Sequence, residues 1–290
     1  MILVTGAAGK TGRAVIRAVA AKGEAIRALV HRPEQTAPVQ AAGAREVVVG
    51  DMCDPESIDC AARGVEAVYF ICPNVNIDEA ALGRAAIAAA RSARVSHFVY
   101  HSVLQPQVEA MPHHWQKLRV EEQLFESGLL YTILQPAAYM QNVLAHWGTI
   151  VTQGVYPAPY AAETRLSMVD LNDVAEAAAA VLTEAGHEGA TYELAGAEAL
   201  TQTEVAAGLR RGLGRPVRVE VVPLETWAQR ARAAGLGDYA VDTLVKMFGY
   251  YERYGFRGNP RVLEWLLRRP STTFAAFVER TISGKTFEVS

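Results

Sequence analysis

The sequence has little cysteine, no long apolar run and no surplus of either charge. Its three cysteines, Cys53, Cys60 and Cys72, are scattered in a chain of 290 residues. Their odd number and their spacing argue against a disulfide framework and against a structural zinc site, so no metal is expected. Reduced, partly buried thiols in a cytoplasmic protein are expected instead. No apolar stretch approaches the ~18 residues of a membrane-crossing helix, so no membrane partner is expected. No targeting segment is expected ahead of the first strand, which starts at Met1 or Ile2. The formal net charge is −3, with lysine and arginine dispersed rather than clustered, which argues against a nucleic-acid partner. What remains is half hydrophobic and 20% charged, the composition of an ordinary globular chain with a real core.

Apolar runs and helical periods alternate through the first half. Strands are expected at residues 2–5, 25–30, 46–50, 65–72, 96–103 and 129–135. Helices are expected at 11–22, 78–94 and 112–127, with another starting at Asp54-Pro55. Gly23 would stop the first helix, and Asp54-Pro55 would open the next with a capping acid and a first-turn proline. Near-continuous apolar strands separated by helices predict an α/β fold with a parallel sheet covered on both faces, doubly wound by right-handed crossovers. The pattern loosens after Pro136. A helix is expected over 138–147, then a Pro/Gly/Tyr-rich loop with at most a short strand. A helix follows at 173–184 and a strand at 191–195 that could extend the main sheet. From Thr201 the chain looks mostly helical, with one strand at 217–222. The expected division is a doubly wound, Rossmann-like domain over 1–153, rejoined by 168–200, and a smaller domain over 201–290 with 154–167.

Gly6, Gly9 and Gly12 lie between the first strand and the first helix, within GAAGKTG. Gly6 would allow the tight turn, Gly9 a close approach to a pyrophosphate, and Gly12 the packing of helix on sheet. Ala8, Lys10 and Thr11 complete the loop, and the helix N-terminus offers N–H groups to phosphate. A site for NAD usually carries an acid at the end of the second strand. Here that strand ends Leu29-Val30-His31-Arg32, with Arg32 twenty positions past Gly12. Arg32 and Lys10 would suit a 2′-phosphate, which favours NADP(H), although Arg32 could equally be a solvated loop residue. Asp51 and Met52 end the third strand where an adenine edge would lie, or Asp51 merely caps the next turn.

These residues resemble the NmrA-like group of atypical short-chain dehydrogenases. The resemblance runs through GAAGKTG, LVHRPE, HFVYHSV, HHWQKLRVEEQLFESGLLYTILQPAAYMQN and LSMVDLNDVAEAAA. It implies the doubly wound fold, NADP(H) as cofactor, and either reductase or NADP-sensing activity, since the group contains quinone reductases, dye reductases and regulators. Typical short-chain dehydrogenases carry Tyr-x-x-x-Lys on a helix, with a serine on the preceding strand. This chain keeps Lys117 and places Ser102 near the serine position, but has His113 where the tyrosine would stand. Two roles stay open: Lys117 holding the nicotinamide ribose for an acceptor that needs little proton help, or His113 as general acid. His113 and His114 could also be plain polar residues of a first helical turn. The resemblance also places Cys72, Pro73, Pro136 and Tyr139 along the cofactor. Trp115, Tyr139, Asn142 and Phe248 are candidates for an acceptor pocket in a cleft between the domains, with core packing as the alternative. The stretch Met247-Phe248-Gly249-Tyr250-Tyr251 would serve as pocket wall, helix packing or dimer surface. Asp170 and Asp173 read as structural, with Asp173 a helix cap.

Three functions follow as expectations. The first is an NADPH-dependent reductase passing hydride to a quinone or similar conjugated aromatic acceptor. The second is a non-catalytic NADP(H) sensor that binds a regulatory partner. The third is a tailoring enzyme of aromatic natural products, reductase or oxygenase, on the same scaffold. A homodimer is left open, because no interface stands out in the sequence.

Overall fold

The computed structural model describes residues 1–284. They form two compact units. The first comprises residues 1–108, 114–136 and 172–193, and the second 109–113, 137–171 and 194 onward.

In the first unit, strand and helix alternate as β1 (Ile2–Val4), α1 (Lys10–Ala21), β2 (Ile26–Val30), α2 (Thr36–Ala41), β3 (Glu46–Val49), α3 (Pro55–Ala62), β4 (Ala67–Phe70), α4 (Glu79–Ser92), β5 (His97–His101), α5 (Pro112–Phe125) and β6 (Tyr131–Pro136). In the second unit the chain continues through β7 (Ala138–Tyr139), a 3₁₀ segment (Met140–His146), α6 (Trp147–Gln153), β8 (Val155–Ala158) and β9 (Arg165–Val169). It returns to the first unit for most of α7 (Leu171–Thr183) and β10 (Ala190–Leu194). The second unit then resumes with β11 (Glu198–Thr201), α8 (Gln202–Leu213), β12 (Arg218–Val221), α9 (Leu224–Ala233), α10 (Asp238–Tyr254), α11 (Arg261–Leu267) and α12 (Phe274–Ile282).

The main sheet has the order β10-β6-β5-β4-β1-β2-β3. Strands β1 to β6 pair in parallel, with Val4 opposite both Ala28 and Tyr69. Chain order reverses at β1, flanked by β2 and β4, which is the switch point of a doubly wound sheet. The sheet follows from the apolar runs: β1 and β4 are buried at every position and their side chains join the core of Leu29, Phe98, Tyr100, Val120, Leu124 and Ile133. The expected strand near 191–195 does extend this sheet, beside β6. Gly23 ends α1 with φ +88, and Asp54 caps α3 by accepting from Glu56 N at 3.1 Å. One close approach matters for the site. A Cβ on Gly83 of α4 would lie 2.7 Å from Val120 of α5, so the glycine sets how near these two helices come.

The second unit holds two small sheets, β11-β9-β7 and β12-β8, around Met140, Val143, Ile150, Tyr156, Val205, Leu209, Phe274 and Phe277. Thr201 and Glu204 cap α8 reciprocally.

Several sequence expectations need correction. The helix expected over 138–147 is a two-residue strand followed by the 3₁₀ segment. The Gln141 side chain is drawn inward to donate to Asp170 at 2.8 Å and to accept from Leu171 N at 3.1 Å, and this tertiary demand overrides helical period. The loop at 154–167 contains β8 and the start of β9, paired with strands distant in sequence. Asp173 is not the cap of α7 but lies inside its first turn, because the helix starts at Leu171. Of the cysteines only Cys72 is buried; Cys53 and Cys60 are exposed, and none is bridged. Among the described residues no helix is long and apolar enough to cross a membrane, and no cluster of three or more metal-ligand side chains occurs.

Candidate functional site

The site is built at the carboxyl ends of β1, β2, β3, β4 and β5, all in the first unit. After β1, Thr5 ties the loop to β4: its hydroxyl donates to Ile71 O at 2.9 Å and accepts from Ile71 N at 2.8 Å. The chain then turns through Gly6 at φ +55, a conformation that favours glycine, with Ile71 O only 3.0 Å from where a Cβ would sit. Gly9 N donates to Gly6 O at 3.0 Å and closes the turn. At Gly12 a Cβ would fall 2.4 Å from Gly6 O, so only glycine lets α1 lie this close to the loop that precedes it. Helix α1 starts at Lys10 with no side-chain cap and no acidic residue in its first turn. Its leading N–H groups therefore face outward with the helix dipole behind them, the arrangement that takes a phosphate. Lys10 is exposed beside them, and Ala8 and Thr11 are half-buried in the loop.

At the end of β2, His31 and Arg32 are exposed, and their N–H groups both donate to Gln35 Oε1, at 3.0 and 3.1 Å. That clasp fixes the bend on which the Arg32 guanidinium is displayed. No acid stands at this strand end to bind a ribose diol. Asp51, after β3, accepts from Cys53 N at 2.8 Å, and this bond holds its carboxyl below the ordinary range. The His31 ring lies 4.0 Å from the same carboxylate. Met52 is half-buried beside it. After β4, Cys72 is buried and Pro73 exposed; burial pushes the Cys72 thiol up, so it stays a thiol.

Lys117, on α5, is buried with an ion-pair partner. Its Nζ donates to Glu79 Oε1 at 2.7 Å and to His101 O at 3.1 Å, and it lies 5.5 Å from the centre of the Tyr100 ring. The Tyr100 hydroxyl donates to the same Glu79 oxygen at 2.9 Å. Burial, then the nearby Glu79 charge, pushes Tyr100 well above its usual range. His101 shares a hydrogen bond of 2.7 Å with Tyr69, and burial pushes it down to about 3, so its ring is neutral. Ser102 follows β5 in a second cluster. Its hydroxyl donates to Glu121, and Gln135 Nε2 donates to both Glu121 oxygens at 2.9 and 3.0 Å. Glu121 stands one turn after Lys117 on α5, and burial raises its carboxyl against these hydrogen bonds.

The remaining candidates fall in different places. His114 is buried against Gln105 O at 3.2 Å and pushed down to about 4 by burial, so its neutral ring is a packing element. His113 is half-buried in the first turn of α5. Trp115 is half-buried with the Arg119 guanidinium 4.4 Å above its ring. Pro136 ends β6 and accepts from Leu104 N at 2.9 Å. In the second unit, Tyr139 is half-buried and Asn142 exposed. Phe248 meets Trp227 edge-on at 4.9 Å and Tyr160 at 5.8 Å, whereas Tyr251 stacks on Phe256 at 4.5 Å as core packing. Glu79, Tyr100, Tyr69, Gln135, Trp227 and Tyr160 were not anticipated from sequence. Glu121 was findable, because it continues the four-residue spacing of His113 and Lys117. Glu79 was not, because an acid at the start of a helix is ordinary.

The model of the NmrA-like family matches residues 1–285. The NAD(P)H azoreductase of Xenophilus azovorans is 31% identical over 281 residues, covering 96% of this chain and 97% of that protein. The crystal structure of the NADPH-dependent quinone oxidoreductase from Escherichia coli complexed with NADPH superposes with a TM-score of 0.85 at 31% identity, over 97% of this chain and all of that one. The triphenylmethane reductase of Citrobacter sp. complexed with NADP(H) gives 0.84 at 26% identity, over 97% and 99%.

Proposed function

The chain belongs to the NmrA-like family, and from that premise we propose that it is an NADPH-dependent reductase whose acceptor is a quinone or a similarly conjugated aromatic molecule. The loop of residues 5–12 carries this reading. Gly12 leaves no room for a side chain, Gly6 takes the left-handed turn, and the first turn of α1 keeps its N–H groups for an anion. A dinucleotide's pyrophosphate fits that cradle. Arg32 and Lys10, with no acid between them at the strand end, fit a 2′-phosphate.

Bound NADPH supplies a hydride from its nicotinamide ring. The chain's own residues bind and orient. Gly6, Ala8, Gly9, Thr11 and Gly12 would hold the pyrophosphate, and Asp51 and Met52 the adenosine. Cys72, Pro73, Ser102 and Pro136 would line the nicotinamide half. Lys117 would give a ribose hydroxyl the one Nζ proton not already committed to Glu79 and His101. A conjugated acceptor takes hydride without a dedicated acid, which suits the absence of the dehydrogenase tyrosine. Within the first unit, Trp115 offers a conjugated acceptor an aromatic face.

A titration of the protein with NADPH and NADH tests the reading. NADPH is expected to bind at least tenfold tighter than NADH, and Arg32→Ala to remove most of that preference, since a charge-assisted hydrogen bond contributes about 1.5–3 kcal/mol. Equal affinities, unmoved by the substitution, would overturn the cofactor assignment. Quinone-dependent oxidation of NADPH then separates reductase from sensor: tight binding with no turnover on any conjugated acceptor would favour the sensor.

A further inference from the structure

Lys117 is a cation taken out of water, and its neighbours decide where its protons point. The charged and titratable groups around it come from three directions. Helix α4 contributes Glu79; β4, β5 and their ends contribute Cys72, Tyr100 and His101; α5 contributes His114 and Glu121. Cys72 and Tyr100 keep their protons, and both histidines are neutral. Glu121 is occupied by Ser102 and Gln135. Glu79 is thus the carboxylate that touches the ammonium, and it is itself fully buried. Tyr100 fixes that carboxylate from β5 while its ring stacks on Phe70 at 5.8 Å. One turn along both helices, the Gly83–Val120 contact sets the helix spacing that lets Glu79 reach Lys117.

We propose that Glu79 is the positioning residue for the nicotinamide half of the dinucleotide: with the His101 carbonyl it takes two of the three Lys117 protons and aims the third at a ribose hydroxyl. No bond is made or broken by Glu79, and its effect passes entirely through Lys117. This rests on the dinucleotide site proposed above.

The test compares two probes on the full chain, NADPH and 2′,5′-ADP, the second carrying the adenosine half without the nicotinamide ribose. Glu79→Gln and Lys117→Met are each expected to weaken NADPH at least tenfold while moving 2′,5′-ADP less than twofold. The double variant should bind NADPH no more weakly than Lys117→Met, because both changes remove one contact. Glu79→Asp, which keeps the charge, should recover part of the loss. A Glu79→Gln protein that binds NADPH like the parent overturns the proposal. So does one that loses both probes alike, which marks a merely structural role, or a double variant whose losses multiply. If Lys117→Met leaves NADPH unchanged while 2′,5′-ADP still binds the parent, Glu79 has no such role although the dinucleotide site stands. If the parent binds neither probe, the site itself fails and the proposal with it. Should Glu79→Gln not fold, Glu79→Asp, which keeps the countercharge but shortens its reach, is read on the same two probes: a partial loss of NADPH with 2′,5′-ADP unmoved supports the proposal, and parent-like NADPH binding or an equal loss of both probes overturns it.

Discussion

Two fully buried carboxylates serve opposite ends in this chain. Asp170, in the second unit, accepts from Gln141 Nε2 at 2.8 Å and from the Arg280 guanidinium at 2.5 Å, a partner 110 residues away on α12. Glu79, in the first unit, accepts from Tyr100 and from Lys117. A guanidinium is a rigid fork, and here it staples α12 to the residue that precedes α7. An ammonium is a point charge with three rotatable protons, and at Lys117 one remains for a ligand. The same chemistry, a carboxylate paired with a cation away from water, therefore holds structure in one unit and, in the proposal above, aims an ammonium proton at a ligand in the other.

The sharpest way to break that contrast is Asp170→Ala. It strands a guanidinium that is about a quarter exposed and a buried amide, and should destabilise the protein by about 3 kcal/mol in urea unfolding. A loss below about 1 kcal/mol would mean that Asp170 staples nothing. Gly12→Ala comes next. Its Cβ would sit 2.4 Å from a backbone oxygen that cannot yield without moving the loop, so about 1–3 kcal/mol of stability and most of the NADPH affinity should go together. Unchanged NADPH binding in that variant would remove the loop from the site.

Acid should weaken the first unit in a way that depends on its buried histidines. His101 and His114 are pushed down by burial to about 3 and about 4, below the ordinary value of 6.5. Below pH 6.5 the unfolded chain takes up protons that the folded chain refuses. Stability should therefore fall as pH drops from 6.5 toward 4, by up to about 1.4 kcal/mol per pH unit for each histidine. Urea midpoints between pH 7 and pH 5 check this, and His114→Gln should flatten part of the slope. A slope unchanged in that variant would remove His114 from the cause.

Much of this was legible in the sequence because it is local. The order of β1 to β6 follows from apolar runs of strand length separated by helical periods, and the tight turn into α1 from three glycines placed between strand and helix. Lys117 was legible through its spacing from His113 and the resemblance that spacing supports. Its countercharge was not, since Glu79 lies 38 residues earlier on another helix and looks like any acid at a helix start. The segment Met140–His146 misled for the converse reason: its helical pattern is real, but Gln141 is recruited by Asp170, a partner that only the fold brings within reach. Pairs such as Lys117–Glu79 leave no periodic trace, so the site's electrostatics had to come from the structure.

The smallest expected effect sharpens the contrast most. Glu121 is a third buried carboxylate, but its hydrogen bonds come from neutral donors, Ser102 and Gln135, rather than from a cation. Burial raises its carboxyl, so the folded chain holds that proton at pH values where the unfolded chain has released it. Its burial therefore weakens the fold at neutral pH, and stability recovers as pH falls through the raised value, in opposition to the two histidines. Glu121→Gln removes the charge, keeps a carbonyl acceptor for Ser102, and lets the Gln135 amide turn to meet the new N–H groups. The relief of the buried charge and the rearranged hydrogen bonds oppose each other, so stability at pH 7 should stay within about 1 kcal/mol of the parent, with the acid slope of unfolding steeper because the opposing group is gone. Glu79→Gln, by contrast, leaves an ammonium buried with no countercharge and should cost about 3 kcal/mol. Equal losses at the two positions would show that hydrogen bonding alone, and not the cation at Lys117, sets the value of a buried carboxylate here.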